Sequence, residues 1–197
     1  MNILDGSKTY TFSDYFKLPY PTSEILAELG YDYAIAPLGI PVPPVDTSWV
    51  TLASELEQKQ RNLIASSETA IREFYVAPMM LKLMDHIQFT LAIEYTVNVS
   101  ERLRGVVDYV LRGQQSVVVI EAKEANIDRG FTQLAVEMIA VAARYDESII
   151  YGAVTTGLLW RFGRFDGREI TRDTDVHLLP HALPTVAGSI MSLLGAE

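Results

Sequence analysis

The chain has 197 residues, 49% of them hydrophobic, enough for one domain that buries a sizeable core. A formal net charge of -9 argues against a protein that coats nucleic acid through bulk electrostatics, and the absence of cysteine excludes disulfides, thiolate nucleophiles and cysteine-ligated zinc. No apolar run reaches the roughly 18 residues of a membrane span, and no basic segment leads into an apolar stretch at the start, so a soluble, cytoplasmic protein is expected.

The charge is unevenly spread. Residues 101–172 hold 10 Lys and Arg against 10 Asp and Glu, while residues 1–100 hold 6 against 12. Residues 1–46 read as an N-terminal arm packed on the core: an aromatic cluster from Tyr10 to Tyr20, a short helix over Ser23–Leu29 stopped by Gly30, then the proline-rich 37–44. Residues 47–197 read as the globular domain, the two making a single unit. Thr47 and Ser48 are expected to cap a first helix and Ser66 or Ser67 a second. The second would bury Ile71, Phe74, Tyr75, Met79 and Leu83, with a kink or new turn at Pro78.

A strand follows over 87–97. Two runs rich in β-branched residues, Gly105–Leu111 and Ser116–Ala122, flank Arg112-Gly113-Gln114-Gln115 and predict a β-hairpin. A two-residue loop at Gly113 and Gln114 sets Arg112 opposite Gln115, Asp108 opposite Val119 and Val106 opposite Glu121. Opposed residues share a face and faces alternate, so Asp108, Glu121 and Lys123 project to one side. Burying such charges is costly without a partner, and a divalent cation would supply one. The alternative is a Glu121–Lys123 salt bridge where the strand surfaces.

After the polar 124–129, Phe131–Tyr145 predicts a helix whose apolar stripe is Phe131, Leu134, Ala135, Met138, Val141 and Ala142, with Gln133, Glu137 and Arg144 on the other side. Ser148–Thr155 reads as a buried strand parallel to the one ending at Lys123. Leu158–Phe165 and Arg168–Thr171 form a hairpin around Asp166-Gly167, and a helix over Thr185–Leu194 follows Pro184.

Asp108, then Glu121-Ala122-Lys123 ending the next strand, then a helix carrying Gln133, resembles the PD-(D/E)xK nuclease superfamily. Val107 stands where the motif name has proline. The segment ASSETAIREFYVAPMMLKL is similar to a helix in the nuclease domains of type I restriction motor subunits. The resemblance implies a restriction-endonuclease-like α/β (α+β) fold, a central mixed sheet flanked by helices. It implies that Asp108, Glu121 and the backbone carbonyl of Ala122 bind Mg²⁺, for which Mn²⁺ would substitute, and that Lys123 orients or deprotonates the attacking water. It also makes Gln133 a contact to a metal-bound water or phosphate, and Glu68 the helix-borne acid, with Glu73 in reserve. The ordinary alternatives are a solvent-facing Gln133 and a Glu68–Arg72 surface ion pair. Arg102 and Arg104 are candidate phosphate contacts.

Other chemistries lack their motifs. No GxxxxGK[ST], GxGxxG or GxSxG is present, and Pro180 between His177 and His181 argues against a helical zinc site. The expected activity is Mg²⁺-dependent phosphodiester hydrolysis, with DNA the expected substrate, RNA not excluded, and a homodimer where both strands are cut. The rival expectation is a catalytically silent member of the fold serving as an interaction or assembly module.

Overall fold

In the computed structural model, which describes residues 3–114 and 116–195, the β-branched runs on either side of Gly113 are the centre of a mixed sheet. Its strands are β1 (Asp32–Ile35), β2 (Thr90–Asn98), β3 (Arg104–Arg112), β4 (Val117–Ala122), β5 (Ile150–Thr155), β6 (Leu159–Phe165), β7 (Glu169–Arg172) and β8 (His177–Leu178). The order is β1-β7-β6-β5-β4-β3-β2, with β8 added to β6. β4 and β5 are parallel, which demands a crossover, and helix α6 (Ile127–Tyr145) supplies it. β3 with β4, and β5 with β6, are antiparallel hairpins.

Every residue of β4 is buried, because the sheet is covered on both sides. On one face Val119 and Val154 pack with Phe131, Leu134 and Met138 of α6. Over α6 lie the arm helices α1 (Phe12–Lys17) and α2 (Thr22–Glu28), through Phe12, Tyr15, Ile25 and Leu26. On the other face Val118 and Ile120 meet Met79 and Leu83 of α5 (Ala77–His86), and Val186 and Ile190 of α7 (Leu183–Leu194). Trp49 of α3 (Thr47–Gln60) fills the same layer. Among the described residues no helix is long and apolar enough to cross a membrane.

Several sequence expectations are corrected. The β3–β4 register pairs Val110 with Val119 and Arg112 with Val117, not Asp108 with Val119. The loop is longer than two residues: Gly113 N–H donates to the Ser116 carbonyl at 3.0 Å, and Gln115 lies outside the described residues. A shift of two residues preserves which face each side chain takes, whereas a shift of one would invert every one of them. Continuing the observed register sets Asp108, rather than Val106, opposite Glu121.

Helix α6 begins at Ile127, four residues before Phe131, capped by Asn126, whose side-chain oxygen accepts the Arg129 N–H. Gly130 is therefore a helix residue. A Cβ there would lie 2.8 Å from Val154 and 3.0 Å from the Lys123 side chain, so glycine lets α6 close on the strand ends. Gln133 and Glu137 do not face solvent: both are buried, Gln133 turned to the Glu121 carboxylate of β4 and bonded to Glu137. Asp46, not Thr47 or Ser48, caps α3, while Ser67 caps α4 (Glu68–Ile71) as expected. Phe74 is exposed, because a π turn over Arg72–Val76 moves it off the apolar stripe. Strand β1, lying in the arm and parallel to β7, was not foreseen.

Candidate active site

The sequence places charge where β4 ends. Glu121 and Lys123 are two residues apart on the α6 face, and Lys123 N–H donates to the Thr155 carbonyl at 2.8 Å, continuing the β4–β5 pairing past the acid. Both side chains are almost wholly buried, and Lys123 Nζ lies 2.6 Å from Glu121 Oε1. The expected alternative, a pair at a surfacing strand end, is thus replaced by an interior pair. The Lys123 ammonium also sits 3.4 Å from Glu68 Oε1 and 5.5 Å from the centre of the Phe16 ring, so the arm reaches the site.

Asp108 stands across from Glu121 on β3. Its Oδ2 accepts the Ala122 N–H at 2.9 Å, and its Oδ1 takes Arg72 Nη1 at 3.0 Å. An extended residue points its N–H and C=O to the same side, so the Ala122 carbonyl is directed toward β3 and Asp108. Arg72 also meets Glu94 Oε1 at 3.1 Å. Glu94 falls opposite Asp108 in the β2–β3 register with φ of 51°, a left-handed conformation that costs a non-glycine residue energy.

Gln133 joins the acids from the helix side. Its Nε2 donates to Glu121 Oε1 at 2.6 Å and to Glu137 Oε1 at 2.9 Å. Glu121 Oε2, Gln133 Oε1 and Glu137 Oε2 are buried without a hydrogen-bond partner among the described residues.

The structure therefore brings together Asp108, Glu121, Lys123, Gln133 and Glu68. Glu73 goes elsewhere, to the hollow lined by Ile93, Glu94 and Tyr109. The ion pair expected between Glu68 and Arg72 is absent among the described residues, Arg72 turning instead to Asp108 and Glu94. The turn from Glu68 to Arg72 is ordinary α-helix, and the widening comes after it: Pro78 has no N–H for the Phe74 carbonyl, and Ala77 N–H donates to the Arg72 carbonyl five residues back. Arg102 and Arg104 belong to the arm contact, Arg102 by its carbonyl to Tyr15 Oη at 2.8 Å and Arg104 by a bridge to Thr11.

Charge in this low-dielectric setting is held unevenly. Burial first, and the Asp108 charge second, push the Glu121 carboxyl up to about 8, with Lys123 opposing. Burial also raises Asp108, against the pull of the Ala122 N–H and Arg72. Glu137 is raised well above the usual carboxylate range by burial and by Glu121. Lys123 is raised by Glu121 despite its burial. Asp108, Glu121 and Glu137, with the more exposed Glu68 and Glu94, share only Arg72 and Lys123, so the cluster holds more carboxylates than cations. Glu137, with no cation bonded to it, is the place for the extra proton.

A hard divalent cation fits the donor set. The oxygens of Asp108, Glu121 and the Ala122 carbonyl are of the right type, and Glu121 Oε2 is buried and unpartnered. Among the described residues no three or more Asp, Glu or His side chains are placed to hold one metal ion. Mg²⁺ is commonly held by one or two carboxylates and keeps several waters, so it needs no larger set of acids than this one. Neither Arg72 nor Glu137 was singled out from the sequence. Arg72 reads there as half of an i,i+4 pair, and the four-residue spacing of Gln133 and Glu137 was the only available sign that the second acid shares the buried face. No protein-family model matches the chain, and no curated protein is similar to it in sequence.

Proposed function

We propose that this chain is a metal-dependent phosphodiesterase of restriction-endonuclease-like fold, with DNA as the substrate. The observation that carries the reading is the buried Glu121–Lys123 pair, beside Asp108 and tied to helix α6 through Gln133, at the end of two parallel strands. A structural ion pair gains little when buried in this way, since desolvation of both charges offsets most of their attraction. Asp108, Glu121 and the Ala122 carbonyl would hold Mg²⁺ or Mn²⁺, which when bound supplies charge neutralisation and an acidified water. Lys123 places a fixed positive charge for the phosphate oxygens or the attacking water. Glu68, next to the ammonium and half exposed, restrains its position. Gln133 holds the Glu121 carboxylate in one orientation.

A second reading, a silent member of the fold serving as an assembly module, draws on the Arg72–Asp108 contact, which occupies one candidate ligand with a guanidinium. Calorimetry with Mg²⁺ and Mn²⁺ separates the two. The nuclease reading expects binding with proton release, so the enthalpy varies with the buffer's ionisation enthalpy, because raised carboxyls must ionise to take a metal. No binding at millimolar metal favours the silent module.

A further inference from the structure

Two sheet rows on the α6 face converge on the start of that helix. Glu121, Val154 and Arg161 are successive partners across β4, β5 and β6. In the adjoining row Gly163 of β6 pairs with Arg172 of β7, and Arg172 with Ile35 of β1. That this is the helix-covered face follows from Gly163, where a Cβ would fall 2.7 Å from the Phe131 ring. Arg161 and Arg172 thus lie on the same side of the sheet as Glu121 and Lys123. With strands about 4.8 Å apart, Arg161 is on the order of 10 Å from Glu121 across the sheet.

The two guanidiniums are held by one carboxylate oxygen. Asp128 Oδ1, in the first turn of α6, accepts Arg161 Nη1 at 2.5 Å and Arg172 Nη1 at 2.8 Å. Two cations against one anion leave a net positive charge, on a chain whose total is -9. The Nε of each arginine is buried without a partner among the described residues, so the forks are incompletely used. The Asp128 side chain is 65% exposed, and those of Arg161 and Arg172 only 14% and 21%. The carboxylate is therefore the mobile partner and the guanidiniums the fixed ones. Tyr33 lies in the same electrostatic neighbourhood, its hydroxyl raised by burial and lowered by Arg172.

We infer that Arg161 and Arg172 form a phosphate-binding subsite for the polynucleotide backbone, a few nucleotide rises from the scissile phosphate, with Asp128 occupying it until substrate arrives. The inference rests on the nuclease reading above. Arginine forks match phosphate oxygens bidentately, and an Asp carboxylate bridging two of them is the side-chain equivalent of the anion they would hold. A purely structural ion pair would not need a second arginine, nor place both on the catalytic face.

The test is binding of fluorescent single-stranded and duplex oligonucleotides by the full chain in Ca²⁺, over a salt series. Arg161→Gln/Arg172→Gln should weaken binding equally across sequences and lower the slope of log K against log salt by about one per arginine. Asp128→Asn should bind more tightly than wild type, an outcome that misfolding cannot produce. If Asp128→Asn leaves affinity and salt slope at wild-type values while wild type binds and cuts, the subsite is refuted and the nuclease reading survives. If wild type binds no oligonucleotide at any salt, both fall.

Discussion

Arg72 Nη1 lies 3.0 Å from Asp108 Oδ1, on an acid whose other oxygen already accepts a backbone N–H. The guanidinium therefore stands where added positive charge would be felt most by an incoming cation. Arg72→Gln should bind Mg²⁺ several-fold more tightly in calorimetry, through lost repulsion. Without metal it should be less stable by about 1–3 kcal/mol, a value reduced from that of a fully buried pair because both side chains keep some exposure. Unchanged metal affinity would mean that the metal does not approach Asp108.

Glu137 sets the pH dependence of stability. Its folded-state affinity for a proton exceeds that of the unfolded chain, so its contribution is fully present at pH below the ordinary carboxylate range and declines as pH rises toward the raised value. Glu121 acts in the same direction, over the window between its ordinary value and about 8. Glu137→Gln keeps the shape and an acceptor for Gln133 but removes one titration. Its melting temperature should match wild type near pH 4 and exceed it at pH 8. A wild-type advantage at pH 8 would show that Glu137 is ionised and partnered in the fold.

Glu68 and Glu73 are five residues apart and meet different surroundings, Glu68 the Lys123 ammonium and Glu73 the hollow beside Tyr109. Glu68→Gln should lower turnover by roughly tenfold or more, as expected for a group positioning a catalytic charge. Glu73→Gln should cut at the wild-type rate. Equal losses in the two variants would place the helix-borne acid elsewhere.

Gly130 is the point of closest approach between α6 and the strand ends. Gly130→Ala must push against Val154 and the Lys123 stem, and chemical denaturation should show a loss of about 1–3 kcal/mol, the usual cost of overpacking. A gain in stability, as expected of alanine in an open helix, would contradict the packing described.

Much of this arrangement is legible in the sequence because the strands alternate faces. Parity placed Asp108, Glu121 and Lys123 on one side even though the loop length, and so the register, was misjudged by two residues. What escaped is tertiary. Periodicity on α6 marks one apolar stripe, but Gln133 and Glu137 are buried beside Glu121 of β4, on a helix that α1 and α2, from more than a hundred positions earlier, also cover. Arg72 escaped because its partners, Glu94 and Asp108, lie on strands β2 and β3, distant along the chain. Strand β1 is four residues long with two partly buried positions, too short for an alternating pattern to show.

In the proposed function Lys123 acts on the reacting phosphate while Asp108 and Glu121 hold the metal. Lys123→Ala leaves Glu121 buried without its cation, so the metal-free variant should melt lower than wild type and recover more on adding Mg²⁺. Asp108→Asn should lose metal affinity instead. The decisive measurement is cleavage of supercoiled plasmid by purified wild type, Lys123→Ala and Asp108→Asn in Mg²⁺ and Mn²⁺. Wild type should cut and both variants should lose on the order of a hundredfold or more, with metal binding kept only in Lys123→Ala. Equal cutting by wild type and Lys123→Ala would contradict this role of Lys123.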